Sequence, residues 1–196
     1  MGVEAPNDRG SAAKDRRRSV LDAVLALLAS KGIAGVSMRA VAREAGVALG
    51  LVHYYFDDKT SLIAEALREI EQQDLRILEP DSSVSAERRL RAALRRVADP
   101  EFLTIDYLSL RMQLWSLAQV NPEFAGINTA AQARYRDGLA ALIRAARPNL
   151  DRRECGRRAA DIDVIQNGVW VTALLGLDRA SIRRSLARTE AIALAE

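Results

Sequence analysis

Apolar residues recur along this chain at intervals of three and four, the period of one helix face, and nowhere alternate in the two-residue rhythm of a strand. From Arg16 to Lys31 the stripe is Val20, Leu21, Val24, Leu27 and Leu28, and Gly32 follows where a left-handed residue closes a helix. Ser37 offers an N-cap hydroxyl to a short helix from Met38 to Ala45, which Gly46 ends. A third short helix runs from about Ala48 to Tyr54 or Tyr55. Asp57 or Asp58 caps a fourth, reaching about Leu78 through Leu62, Ile63, Ala66, Leu67 and Ile70. Pro80 and the Asp-Ser-Ser behind it mark a break. Helical patterns then span Ala86 to Ala98, Leu103 to Val120, residues 123–146 between Pro122 and Pro148, Arg153 to Leu175, and Asp178 to Leu194. The pattern predicts an all-α protein of about nine helices.

Composition sharpens this little but excludes much. Of the 196 residues 49% are hydrophobic and 28% charged, a globular balance, while aromatics at 5% and the many Ala, Leu and Arg residues favour helix. The net charge of +3 permits a polyanionic partner without requiring one, and Lys-Asp-Arg-Arg-Arg at 14–18 puts a basic cluster at the head of the first helix. One cysteine, Cys155, and one histidine, His53, exclude an internal disulfide framework and a Cys/His metal cluster. Residues 1–13 lack a signal peptide's apolar stretch and read as a disordered tail; no apolar run is long enough for a bilayer, so the expected location is the cytoplasm.

The informative stretch is Ser37 to Phe56. Ala42 is small where two helices cross closely, Gly46 supplies the turn four residues later, and Val52 packs the second helix back six residues further on. That spacing suits a helix-turn-helix, which holds its second helix out for the major groove of DNA. Ser37 lies at a helix N-terminus, a natural phosphate site. Arg39 can reach a phosphate or pair with a guanine edge. Gly50 and Leu51 fall early in the recognition helix, where close backbone approach limits bulk. His53, Tyr54 and Tyr55 place polar-tipped rings at its end, one tyrosine being expected partly in the core. Lys59 sits in the first turn of the next helix, where a cation opposes the dipole unless a phosphate lies nearby.

The segment GVSMRAVAREAGVALGLVHYYFDDKTSL closely resembles the DNA-binding domain of tetracycline-repressor-type (TetR) regulators, and HYYFDDKTSL looks most like the subgroup of the choline-responsive betaine-pathway repressor (BetI). MQLWSLAQVNPEF at 112–124 and IQNGVWVTALL at 165–175 extend the similarity more weakly. The resemblance implies a helix-turn-helix DNA-binding domain over 14–60 and a ligand-binding and dimerisation domain over 61–196. It implies a homodimer through the last two helices, an inducer pocket in the C-terminal domain, and a fourth helix linking pocket to head. Carried over by position, the DNA contacts are Ser37, Arg39, Ala48, Leu49, Gly50, His53, Tyr54, Tyr55 and Lys59. The chain departs from the pattern at Ala48 and Leu49, where many relatives carry Ser and a polar residue. It departs again at Asn167, where the subgroup often has an acid before the Gly.

The helix Arg153–Leu175 is apolar on several sides, through Ile162, Ile165, Val169, Trp170, Ala173 and Leu174, and small at Ala159, Ala160 and Gly168. A second copy would fit there. An inducer pocket is expected among the helices at 62–78, 103–120 and 153–175, drawn from Phe102, Tyr107, Met112, Trp115 and Trp170. Gln166 or Asn167 adds a polar contact, only one of the two facing inward. With Asn167 replacing an acid, an uncharged or partly apolar inducer is favoured over a quaternary amine. Asp106 and Arg111 are expected in solvent. Catalytic residues, a metal and a cofactor are not expected. The single His falls in the DNA-binding motif, and Cys155, among Arg152, Arg153, Arg157 and Arg158, reads as lying on a helix surface. Together these features describe a regulator, in all expectation a repressor, that binds a palindromic double-stranded operator and is released by a small molecule. A ligand-independent DNA-binding protein or an activator stays open, and behind these a small-molecule-binding helical enzyme.

Overall fold

A computed structural model describes residues 8–79, 81, 83–176 and 178–195, with side chains from Ala13 onward. Among these residues there are nine α-helices and no strand. The chain divides into two compact units, one through Arg68 and one from Glu69. The division falls inside the fourth helix, later than the 60/61 boundary the sequence suggests.

The first unit holds α1 (Asp8–Gly35), α2 (Met38–Glu44), α3 (Leu49–Tyr55) and the start of α4 (Lys59–Leu75). The expected tail over 1–13 overlaps α1: Asp8–Ala13 form its opening turns, and residues 1–7 lie outside the described residues. Gly32 interrupts α1 at φ 63° and ψ −173°, so the regular run stops at the predicted glycine. Ser37 caps α2 by accepting the Ala40 amide at 3.1 Å. Asp58, not Asp57, caps α4, its carboxylate accepting the Ser61 amide at 2.8 Å. The apolar stripes meet in one core: Val20, Val24, Leu28, Val41, Val52 and Leu62 are fully buried. Each large aliphatic buried in this way contributes about 1.5–3 kcal/mol relative to exposure.

In the second unit α4 ends at Leu75 and tightens into a 3₁₀ turn, Arg76–Leu78. Then come α5 (Ala86–Arg96), a 3₁₀ turn (Pro100–Phe102), α6 (Ile105–Ala118), α7 (Pro122–Ala146), α8 (Arg152–Leu174) and α9 (Arg179–Leu194). Polar caps fix the starts: Thr104 accepts the Tyr107 amide, Asn121 that of Glu123, Asp151 that of Glu154 and Asp178 that of Ser181. The Thr104 cap explains why α6 begins at Ile105 rather than Leu103. α7 and α8 pack on each other and on α5, α6 and α9, enclosing Leu90, Leu94, Leu139, Ile143 and Ile162.

Two expectations are corrected here. Cys155 does not lie on a helix surface: it is 1% exposed within this core, because it faces inward while Arg152, Arg153 and Arg157 face out. Arg111 is not in solvent but 8% exposed, for reasons given below; Asp106 is exposed. No helix among the described residues is long and apolar enough to cross a membrane, and no described group of His, Cys, Asp or Glu could hold a metal ion.

Candidate DNA interface and a buried charge cluster

α2 and α3 pack through Val41, Ala42 and Val52, each at most 5% exposed, with Gly46 between them at φ 65°. Val52 is the one buried residue of α3, so the rest of that helix faces outward. Gly50 and His53 are exposed and Tyr54 is 79% exposed. A Cβ added at Gly50 would meet nothing within 4 Å, so no packing inside the chain demands a glycine there. Ala48 starts α3 without a side-chain cap, leaving first-turn amides for an outside acceptor; Leu49 follows it half-buried. Arg39 is exposed in the first turn of α2.

The remaining members of the predicted set hold the frame. Tyr55 is half-buried and its hydroxyl donates to the Ala13 carbonyl at 3.1 Å, which makes it the tyrosine partly in the core. Its ring meets that of Tyr54 edge-on, centroids 5.2 Å apart. Lys59 donates to the Ile33 carbonyl at 2.7 Å. That acceptor, in the last turn of α1 and shared with the Val36 amide at 3.2 Å, compensates a cation at a helix N-terminus. Arg17 ties α1 to α4 through Glu65 at 2.5 Å and stacks over Phe56 at 5.7 Å, and the pairing holds the Glu65 carboxyl below its usual range.

The second unit contains a polar cluster inside its aromatic core. Arg111, on α6, forms an ion pair with Asp74 on α4, and the Tyr107 hydroxyl donates to the same carboxylate. The guanidinium lies 4.0 Å from the Trp170 ring centroid, 5.3 Å from that of Trp115 and 5.9 Å from that of Tyr107. Burial works against its charge, but Asp74 and Tyr107 outweigh it and hold the group above its ordinary value. Burial, then the Asp74 charge, pushes the Tyr107 phenol up. The Trp170 indole donates to the Val97 carbonyl at 3.0 Å, which fixes the ring. Phe102 and Tyr107 meet edge-on, centroids 5.5 Å apart. One turn earlier on α8, Gln166 is 1% exposed and accepts the Tyr135 hydroxyl at 2.9 Å, while the half-buried Asn167 donates to buried Asp163 at 3.1 Å. Burial raises the Asp163 carboxyl, opposed in part by Arg136 and by the Asn167 hydrogen bond. Of the two amides, Gln166 is the one that faces inward.

With this geometry in place, comparison with known proteins decides the lineage. The sequence profile of bacterial regulatory proteins of the tetR family matches residues 20–66, and that of the BetI-type transcriptional repressor C-terminal domain matches 86–194. The chain belongs to the TetR family. A curated relative, the HTH-type transcriptional regulator BetI of Cronobacter sakazakii, is 30% identical over 166 residues, covering 82% of this chain and 80% of its own. The BetI of Escherichia coli O127:H6 is 27% identical over 82% of this chain and 83% of its own. A crystal structure from Pseudomonas aeruginosa, described as a transcriptional regulator, superposes with a TM-score of 0.79 at 23% identity, covering 91% and 88% of the two chains. One from Saccharomonospora viridis, in complex with choline, superposes at 0.69 with 21% identity over 90% and 94%.

This TetR-family protein is therefore a transcriptional regulator rather than an enzyme, and its family binds operator DNA, usually as dimers that take a small-molecule ligand. Phe102, Tyr107, Trp115 and Trp170, named from sequence, surround or adjoin one cluster in the regulator. Met112 is half-buried one residue beyond Arg111, about 100° round the helix. Sequence reasoning missed Asp74, Arg111, Tyr135 and Asp163. The available signal was Tyr107 and Arg111 one turn apart on a helix apolar on more than one side, where a long cation has little access to water.

Proposed function

We propose that this regulator is a repressor that binds a pseudo-palindromic operator as a homodimer and is released by a small-molecule inducer bound in its C-terminal unit. The observation that carries the reading is the outward face of α3: Gly50, His53 and Tyr54 are exposed on a helix anchored through Val52 alone, within a domain matched as a TetR head. In this reading α3 enters the major groove. Arg39 and the rings of His53 and Tyr54 meet DNA, Ala48, Leu49 and Gly50 bring backbone close to it, and Ser37, Tyr55 and Lys59 set the frame. Val164 on α8 and Leu175 just past its end, 71% and 80% exposed, support a subunit face, together with half-buried Ile165 and, on α9, Ile192. The inducer lies by the Arg111 cluster and acts through α4, which carries Asp74 at one end and Lys59 at the other. It must favour the DNA-incompetent arrangement, because only differential affinity shifts the equilibrium.

Electrophoretic mobility shift against operator and random duplex, at increasing salt, tests this. Half-sites roughly 34–36 Å apart are expected, with a steep fall in affinity as salt rises. Arg39→Ala and Tyr54→Ala should each weaken operator binding by about tenfold, within the range of one lost specific contact. Equal affinity for both duplexes would refute it.

A further inference from the structure

Three rings and a carboxylate are the equipment with which proteins bind quaternary ammonium ions. Here Trp170, Trp115 and Tyr107 supply the rings and Asp74 the carboxylate, but the chain's own Arg111 guanidinium occupies the centre, 8% exposed. An organic cation could enter only by breaking a buried ion pair and leaving Arg111 in a core without its counter-ion.

The same arrangement leaves donors unused. Arg111 uses Nη1 toward Asp74 and Tyr107, but its Nε is buried without a hydrogen-bond partner. Gln166, 1% exposed and one turn before Trp170 on α8, has its Oε1 taken by Tyr135, and its Nε2 is likewise buried without a partner. Both groups can only donate. Arg111 lies over the Trp170 ring and Gln166 stands one helical turn from it, so two buried donors lack an acceptor in the same part of the core, and an oxygen acceptor would satisfy them.

We propose that the inducer of this regulator is a small molecule presenting a carbonyl-type oxygen, as a carboxylate or an amide, to Arg111 Nε and Gln166 Nε2, and that Arg111 is a built-in occupant that excludes quaternary ammonium ions. This rests on the inducible-repressor reading above and fixes the chemistry of its ligand. Arg111 thereby reverses the preference that the cage alone would have.

The chain's two tryptophans are both in the cage, so indole emission reads its occupancy directly. The full-length protein, as wild type, Arg111→Met and Arg111→Lys, is titrated with choline, benzoate and benzamide. Wild type is expected to give a saturable change with benzoate or benzamide, the two arms separating charged from neutral acceptors, and none with choline. Arg111→Met vacates the cage beside Asp74 and should bind choline at least about tenfold more tightly than wild type while losing the acceptor probes. Arg111→Lys keeps the charge but not the planar Nε edge; it should lose the acceptor probes and still exclude choline, and it carries the test if the methionine variant does not fold. Saturable choline binding by wild type, or wild-type indifference to both acceptor probes, overturns the proposal. Operator binding is measured in parallel. A protein that never binds operator defeats the repressor reading, whereas choline-driven release from intact operator binding defeats only the role given to Arg111.

Discussion

At the residue scale the second unit keeps charge where water is scarce, and half-buried Asp74 and buried Asp163 are treated differently. Asp74 receives Arg111 and Tyr107, whereas Asp163 receives one amide from Asn167 and faces Arg136, Arg111 and Asp74 at longer range. Burial therefore dominates at Asp163 and raises its carboxyl. A carboxyl raised on folding contributes most below its unfolded value, and that contribution is lost as pH rises through the folded one. Asp163→Asn should accordingly raise Tm where the carboxyl is ionised and lose that gain as pH falls through its raised folded value, checked by thermal denaturation across the acid range. Glu65 and Glu190, lowered by their arginine partners, work in the opposite sense, losing their contribution as pH falls. The variant must therefore be compared with wild type at each pH.

At the scale of elements, backbone conformation at a few positions decides where helices stop. Gly32 at φ 63° breaks α1, and the Ile33 carbonyl just past it accepts Lys59 as well as the Val36 amide. Gly32→Ala puts a Cβ at φ 63° and ψ −173°, a region open essentially to glycine alone, at a cost of about 1–3 kcal/mol, to be measured by urea denaturation. This stop was legible in the sequence, as were the Ser37 cap and the turn at Gly46, because each rests on local backbone chemistry that one residue announces. The aromatic members of the buried cluster were legible as large rings on inward helix faces. Its charges were not. Asp74 lies in a polar run, Glu-Gln-Gln-Asp at 71–74, and only contacts between distant segments reveal that it faces Arg111. Cys155 misled for a related reason: the arginines around it suggested a surface, but neighbours in a helix point about 100° apart.

At the scale of the molecule, the outer side of α8 carries residues that the protomer's own core does not use. Ile162, Val169 and Trp170 are spent on the protomer's own core, each at most 3% exposed, as is Ala159, one of the small residues expected to admit a partner. Val164 and exposed Gly168 are not. Val164→Asp should leave Tm close to that of an isolated protomer yet shift sedimentation toward monomer at micromolar concentration and abolish binding to a full palindrome. A variant that stays dimeric would place the interface elsewhere.

The division of the chain at Arg68 also partitions its reporters. Trp115, Trp170 and the single thiol of Cys155 belong to the second unit, and the first has Tyr54 and Tyr55 but no tryptophan or cysteine. Alkylation of Cys155 under native conditions thus measures how often the second unit opens, and neither it nor indole emission reports on the first. Far-ultraviolet dichroism sums the helices of both. If the two units melt as one cooperative block, the dichroism and fluorescence transitions coincide; if the DNA-binding head melts by itself, dichroism falls before either the indoles or the thiol respond.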